Sequence, residues 1–536
     1  MPEKRIIDRK TGLLVRPERK EADYRKKHAS ASAVHQRPVK KPSAKNSFKK
    51  ASGPFVKPGA ATVRIKKIRE SRDQKVARSL RASTSEGVFN TASSSITNTF
   101  VTPLALALKA TNSEIGLLSA VQSLAHTVAQ LPGARLTERY SRKGIWLVSQ
   151  LMSKILLWIP IALLPFLPLD NPVILLIALM AAVAFFAGLR VPAWASMMGD
   201  LVPLSIRGKY FGMRNMITGV AGIAATIIAG ILVAELGFSF IFLIAILLSV
   251  VSIFYFIRMY EPHFRGVFHY KHEINLDPRG WRTSLTVNKA LVIFTVYLFF
   301  MNFAVEVASP FYTVYMLKDL NISYFWFALV TVIGALVRII SFRYWGRLND
   351  RFGSRKILVV TGVFACLTPL FWLFVSNVPQ IALLKVFDGF IWAGVDLVVF
   401  NYLLDITPAN KRPQYVANNN FFAGWGTILG ALAGGMLAES LAGAQFGWLR
   451  GLQIVFLISF ILRIAVLLIL PKVREIDIKH TAIAPLRYVF WQSIAVEPAH
   501  GVKNTFFYTF RYPVKVKNEL EGSVKKIEYK MKIRKS

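Results

Sequence analysis

The chain has 536 residues, of which 54% are hydrophobic and 18% charged, and it carries a net charge of +38. Soluble chains hold about a quarter charged residues, whereas here the apolar residues come in runs of about 20, enough to span a ~30 Å hydrocarbon layer. This excludes a set of soluble domains, a collagen and a mainly disordered chain. The single cysteine, Cys366, excludes an internal disulfide or a multi-cysteine metal site and reads as a small buried hydrophobe.

Residues 1–85 hold 25 Lys/Arg and 7 Asp/Glu. They read as a basic tail, disordered because so few apolar groups cannot offset chain entropy. Within it, 62–81 has the pattern of a basic helix with a thin apolar stripe of Val63, Ile65, Ile68, Val76 and Leu80. The segment lacks the apolar core and cleavage site of a signal peptide. Its expected partner is the anionic headgroup layer of a lipid bilayer, and nucleic acid is disfavoured.

Apolar segments follow at about 87–108, 113–135, 144–167, 172–198, 209–235, 237–259, 289–316, 322–345, 355–376, 379–402, 414–439 and 446–470. Twelve such runs predict an all-α integral membrane fold, since helices satisfy their own backbone hydrogen bonds in lipid. The loops alternate in charge. ERYSRKG, SIRGKY, the 260–288 connection, NDRFGSRK and ANKRPQ are basic; KATNS, PLDNP, ELGFS, KDLNIS, SNVP and SLAGAQFGW are not. The basic set and both termini are therefore expected in the cytoplasm. Residues 472–536 form a second basic tail, with 14 Lys/Arg and 6 Asp/Glu.

The chain repeats itself. DLVPLSIRGKYFGMRN (200–215) aligns with DITPANKRPQYVANNN (405–420) at an offset of 205, matching Asp200 with Asp405 and Arg207 with Arg412. Gly219/Gly424 and Gly230/Gly435 continue the match. ARLTERYSRK (134–143) matches GRLNDRFGSRK (346–356), and LKATN (108–112) matches LKDLN (317–321). The domains expected are a six-helix bundle at 86–259, a connecting loop at 260–288 and a second bundle at 289–471. Such parallel halves are related by a pseudo-twofold axis along the membrane normal, with a cavity between them.

The run Gly346-Arg347-Leu348-Asn349-Asp350-Arg351-Phe352-Gly353-Ser354-Arg355-Lys356 resembles the loop signature of the major facilitator superfamily, and Ala134 to Lys143 is a degraded copy with Ala134 and Ser141 in place of glycines. The resemblance covers about 86–471. Pro192-Ala193-Trp194…Asp200 and Trp392…Asn401-Tyr402…Asp405 are similar to poorly characterised prokaryotic members. The resemblance implies a cytoplasmic gating network of Glu138, Arg139, Asp200 and Arg207 in the first half, and Gly346, Asp350, Arg351, Gly353, Arg355, Asp405 and Arg412 in the second. An acidic side chain there can pair with a base or helix end in one state and release it in another. Gly353 suits a tight turn.

Ionisable side chains at membrane depth are costly and point to function. Arg190, Glu306, Asp388 and Asp396 fall on helices 4, 7 and 10, which line the cavity in the resembled family, as helix 1 does with Asn90 and Asn98. Asp388, Trp392 and Asp396 are spaced by four and share a broad helical face. His126 and Arg338 are duplicate positions, at an offset of 212, on helices expected at the interface between halves. Two readings stay open: the arginines bind an anionic group while Glu306 or Asp396 carries a proton, or the charges pair and stabilise one state. Arg463 and Arg258 read as snorkelling near helix ends.

No GxxxxGK[ST] loop, HExxH or nucleophilic triad is present, so no enzyme activity, metal or cofactor is expected. The function expected is secondary active transport of a small solute across the plasma membrane by alternating access, proton coupling being one option, by a monomer. The alternatives are a non-transporting receptor or scaffold using the basic tails, and a drug/proton exporter. The exporter is disfavoured because GVAGIAATIIAG (219–230) lacks a proline found in that group's helix 5 motif.

Overall fold

A computed structural model describes residues 58–203, 206–261, 289–407 and 412–473, the strands Ile6–Ile7 and Leu14–Val15, and Val489. For 58–73, 209, 412–414 and 417 it describes the backbone alone. The connecting loop beyond 261 and the second basic tail beyond 473, Val489 apart, lie outside the described residues. So does most of the first tail before 58. Residues 1–75 with 482–484 form one compact unit, in which Ile6 pairs with Val15 and Ile7 with Leu14. Residues 76–481 with 485–536 form the other.

The described rods follow in chain order. They are α1 (Pro58–Ala107), α2 (Asn112–Arg139), α3 (Arg142–Phe166) and α4 (Pro172–Leu201). Arg207–Ile257 is continuous except at Gly237 (φ 78°), which divides it into α5 (207–236) and α6 (238–257). Then come α7 (Lys289–Asp319), α8 (Tyr324–Phe352), α9 (Ser354–Trp372), α10 (Val378–Ile406), α11 (Arg412–Ser440) and α12 (Leu452–Leu467). Among the described residues, eight helices are long and apolar enough to cross a membrane, Tyr210–Ile257 being counted as one. A short hairpin, Gln445–Phe446 with Leu449–Arg450, precedes α12.

Local chemistry sets the ends. Thr111 caps α2 in a capping box with Glu114, whose carboxylate accepts from the Thr111 backbone N–H at 2.8 Å. Asn377 caps α10, accepting from the Gln380 N–H at 3.1 Å. Gly353, at φ 85°, makes the turn between α8 and α9 that its sequence context predicts. The tail boundary drawn at residue 85 is corrected: it falls inside α1. Ser79, Ser83 and Glu86 are buried there. Ser79 Oγ accepts from the Tyr260 N–H at 2.8 Å, and the Leu80 carbonyl accepts from the Tyr210 hydroxyl at 3.1 Å. These polar residues lower the hydropathy of the segment although α5 and α6 satisfy them.

The duplication is visible as geometry. On α2, a Cβ built on Gly116 would lie 2.6 Å from the Gly435 Cα on α11, and one built on Gly230 of α5 would lie 2.5 Å from the Ala328 Cβ on α8. Gly230 and Gly435 are duplicates at the 205-residue offset, and Gly116 and Ala328 are duplicates at the 212-residue offset. The two contacts are thus one contact made twice. A second pair crosslinks each half internally. Arg214 of α5 holds Glu86 of α1 at 3.0 Å, and at the duplicate position Asn419 of α11 accepts from the Thr295 hydroxyl of α7 at 3.0 Å.

Apolar packing joins the halves at the end bearing the α1–α2 and α7–α8 loops. Phe100, Leu104, Trp158 and Phe242 belong to the same buried cluster as Val307, Phe311, Trp372 and Phe456. The Glu439 carboxylate of α11 accepts from the backbone N–H groups of Asn112 and Ser113 at 2.9 and 3.3 Å, so a negative charge sits at the α2 N-terminus. Lys318 donates to the Ala110 carbonyl at 3.0 Å. At the opposite end, Trp146, Met197, Met198, Leu201, Phe256 and Met259 form a cluster contributed by the first half.

Two outcomes follow. Gly116→Leu or Glu439→Gln should raise the labelling rate of a cysteine placed at Ser113 by an impermeant maleimide severalfold; an unchanged rate would contradict the seal. Glu86→Ala leaves a buried guanidinium unpaired and should cost about 3–5 kcal/mol in denaturant unfolding, most of it recovered when Glu86→Met is combined with Arg214→Met.

Candidate functional site

The polar interior of the first half is built from one face each of α1, α3 and α4. Arg190 of α4 donates through Nη1 to Gln150 Oε1 of α3, and Gln150 Nε2 donates to Asn90 Oδ1 of α1 at 3.0 Å. Four residues on from Gln150, Lys154 is buried and donates to Thr97 Oγ1 of α1 at 3.3 Å. Arg190 lies within electrostatic reach of Glu86, Lys154 and His126. His126 meets Gln130 through Nδ1 at 3.3 Å. Asn98 is exposed on α1 and makes no hydrogen bond among the described residues. Asn90 and Arg190, expected at a cavity, are therefore brought together; Asn98 is not joined to them.

In the second half, Arg338 of α8 is paired with Asp396 of α10, both about half exposed. Asp388 accepts from the Thr368 hydroxyl of α9 at 2.7 Å and lies within electrostatic reach of Lys385. The shared face expected of Asp388, Trp392 and Asp396 is corrected. Positions eight apart differ by about 80° in an α-helix, enough to turn Asp388 to α9 and Asp396 to α8. Trp392 is half-buried on the same helix. Glu306 of α7 lies within electrostatic reach of Arg463. Arg463 is not snorkelling: it is 1% exposed and donates to the carbonyls of Ala365 (2.8 Å) and Val305 (3.5 Å), tying α12 to α9 and α7.

At the end expected in the cytoplasm the partners differ from those implied. Asp200 pairs with Arg142 at 2.5 Å, not with Arg139 or Arg207. Arg142 is the better placed because it opens α3 against the end of α4, where Glu261 also accepts from its backbone N–H at 2.9 Å. Arg207 instead donates to the Gly199 carbonyl at 2.6 Å, closing the α4 terminus. Glu138 and Arg139 are exposed and make no ion pair among the described residues. In the second half Asp405 accepts from the Ser354 hydroxyl at 2.7 Å. Asp350 is exposed, Arg351 lies over the Phe352 ring, Gly346 packs on Leu397, and Arg355 reaches the Pro471 carbonyl at 3.5 Å. The Arg412 side chain lies outside the described residues.

Sequence reading passes over Lys154, Glu86, Arg214, Arg142 and Lys385. Lys154 has a visible signal, a lone charge about ten residues into an apolar run. Glu86 and Arg214 sit where the runs fade into polar sequence, and only packing of α1 on α5 shows that they are interior. Among the described residues no group of His, Cys, Asp or Glu could hold a metal ion.

Comparison with known proteins agrees with this architecture. The family model of the Major Facilitator Superfamily matches residues 87–341 and 290–510. An uncharacterised MFS-type transporter, YuxJ of Bacillus subtilis (strain 168), is 26% identical over 40% of this chain, and the match spans 50% of that protein. A multi-drug resistance efflux pump PmrA homolog of Lactococcus lactis subsp. lactis (strain IL1403) is 24% identical over 60% of this chain and 78% of its own. The crystal structure of the nucleoside transporter NupG superposes with a TM-score of 0.57 at 11% identity, covering 74% of this chain and all of that one. A bacterial homolog of the human lysosomal transporter Spinster, inward-facing and occupied, gives 0.57 at 14% identity, covering 74% of this chain and 98% of that one. The chain belongs to the Major Facilitator Superfamily.

Proposed function

We propose that the protein is a secondary active transporter that moves a small solute across the plasma membrane by alternating access. Its twelve rods would each cross the bilayer, with both termini in the cytoplasm. The observation that carries this reading is the contact made twice between halves, Gly116 with Gly435 and Gly230 with Ala328. Close approach through small residues lets paired helices hinge without side chains locking them, and the shared apolar cluster at one end supports a state closed to the outside and open to the cytoplasm.

The central cavity would be lined by Asn90, Asn98, Arg190, Glu306, Trp392, Asp396 and Arg338, with Asp388 behind it against α9. The Arg142–Asp200 and Ser354–Asp405 contacts would form the cytoplasmic gating network in place of the pairs implied by the loop signature. The basic tails would lie near anionic headgroups, and the monomer would be the working unit.

A second reading, export of drug-like molecules, is favoured by the efflux-pump relative and by the tetracycline resistance protein, class H, of Pasteurella multocida, 26% identical over 22% of this chain. The missing proline of helix 5 and the buried cations favour the first. Flux in proteoliposomes separates them: under the first reading the protein moves small polar solutes, whereas a drug exporter moves amphipathic dyes.

Two measurements test the mechanism. In a Cys366→Ala background, Asn112→Cys joined to Glu439→Cys by a short reducible crosslinker should abolish flux, and reductant should restore it. Flux persisting in the crosslinked protein would rule out opening at that end. Asp396→Asn or Arg338→Ala should change unfolding stability by no more than ~1 kcal/mol, because the pair is half exposed, yet lower flux at least about tenfold, a loss of ~1.4 kcal/mol in barrier stabilisation. Unchanged flux would remove the pair from the transport path.

A further inference from the structure

The two halves carry unequal buried charge. In the second, the interior cations Arg463 and Lys385 lie within reach of two carboxylates, Glu306 and Asp388. In the first, Arg190, Lys154 and Arg214 face Glu86 alone, and Glu86 is committed to Arg214 at 3.0 Å and to the Ser252 hydroxyl at 3.4 Å. Among the described residues no carboxylate approaches Lys154 or Arg190 to ion-pair distance. Lys154 is 6% exposed, its one hydrogen bond among the described residues is the 3.3 Å contact with Thr97, and the adjacent Ser153 hydroxyl is buried without a partner. Uncompensated cations at this depth are strongly disfavoured unless a counter-charge arrives.

The neighbouring groups point the same way. Gln150 spends its carbonyl on Arg190 and its amide on Asn90. Asn90 accepts through Oδ1, which leaves its NH₂ as a donor on the α1 side of Gln150. Arg190 and Asn90 are half-buried and Lys154 is buried. These donors lie on α1, α3 and α4, and no carboxylate is among their hydrogen-bond partners. Residues Met152–Leu156 wind as one π turn, which places Lys154 toward Thr97 of α1.

We propose that Arg190, Lys154 and the Asn90 amide form a subsite for an anionic oxygen group, a carboxylate or a phosphate, on the transported solute. The proposal rests on the transporter reading and assigns a chemical class to its substrate. A guanidinium offers paired donors to such a group while an ammonium supplies a compact charge. Binding supplies the missing counter-charge, so the solute is drawn to the centre of the bundle and stabilises the protein that holds it.

The test uses the purified full-length protein in lipid nanodiscs, with unfolding followed by tryptophan fluorescence. The probes are acetate, succinate, inorganic phosphate and glycerol 3-phosphate, with succinamide and choline as neutral and cationic controls. At least one anion should raise the midpoint by about 3 °C or more, and neither control should. A response confined to the carboxylates or to the phosphates identifies the group.

Lys154→Met and Arg190→Gln should lose that response. Lys154→Met alone should unfold no lower than the parent, since it removes an uncompensated charge. Should either variant fail to fold, Asn90→Ala should weaken anion affinity about tenfold. Absence of any anion response, or a response retained in Lys154→Met, Arg190→Gln and Asn90→Ala, overturns the subsite. Uptake of a neutral or cationic solute with no anion response would overturn it while leaving the transporter reading in place.

Discussion

The architecture depends on backbone-to-backbone proximity between the two halves. In lipid there is no hydrophobic drive to bring helices together, so close packing must do it. Gly116 against Gly435, and Gly230 against Ala328, permit that approach at the end where Phe100 and Phe327 also meet edge to face. A larger side chain at these positions would separate the surfaces and remove the platform on which Glu439 reaches the α2 terminus. The polar interior, the charge imbalance and the seal all require these helices to stay in contact at one end.

Within each half, polar crosslinks fix the helices against one another. Glu86–Arg214 is ionic and Thr295–Asn419 is neutral, although they occupy duplicate positions. The same divergence occurs at the loop ends, where Arg142 holds Asp200 while Ser354 holds Asp405. Gene duplication preserved which helices are tied and left the chemistry of the tie free to change. At both places the ion pair lies in the first half and the neutral donor in the second.

The arrangement of rods and the pairing of halves are legible because hydropathy runs and loop repeats are one-dimensional signals. Gly353 and the Gly230/Gly435 match are readable for the same reason. Partner choice is not. Arg139, Arg142, Lys143 and Arg207 all fall in the basic stretches between apolar runs, and only the way α3 begins against α4 selects Arg142 for Asp200. Arg463 looks peripheral by its position along α12, yet its guanidinium turns inward to carbonyls of two other helices. Glu86 reads as the edge of a tail because hydropathy averages over neighbours, whereas burial is decided by what α5 and α6 place opposite. Depth along a helix can be counted; azimuth and partners need the packed structure.

The π turn at Met152–Leu156 has a wider meaning. It adds a residue to one circuit of α3, while the corresponding helix α9, with Leu367 and Thr368 near the matching level, is a regular α-helix throughout. An extra residue turns everything beyond it by about 100°. The residues that follow, Leu157 to Phe166, are thereby set on a different face from the one an unbroken helix would give them.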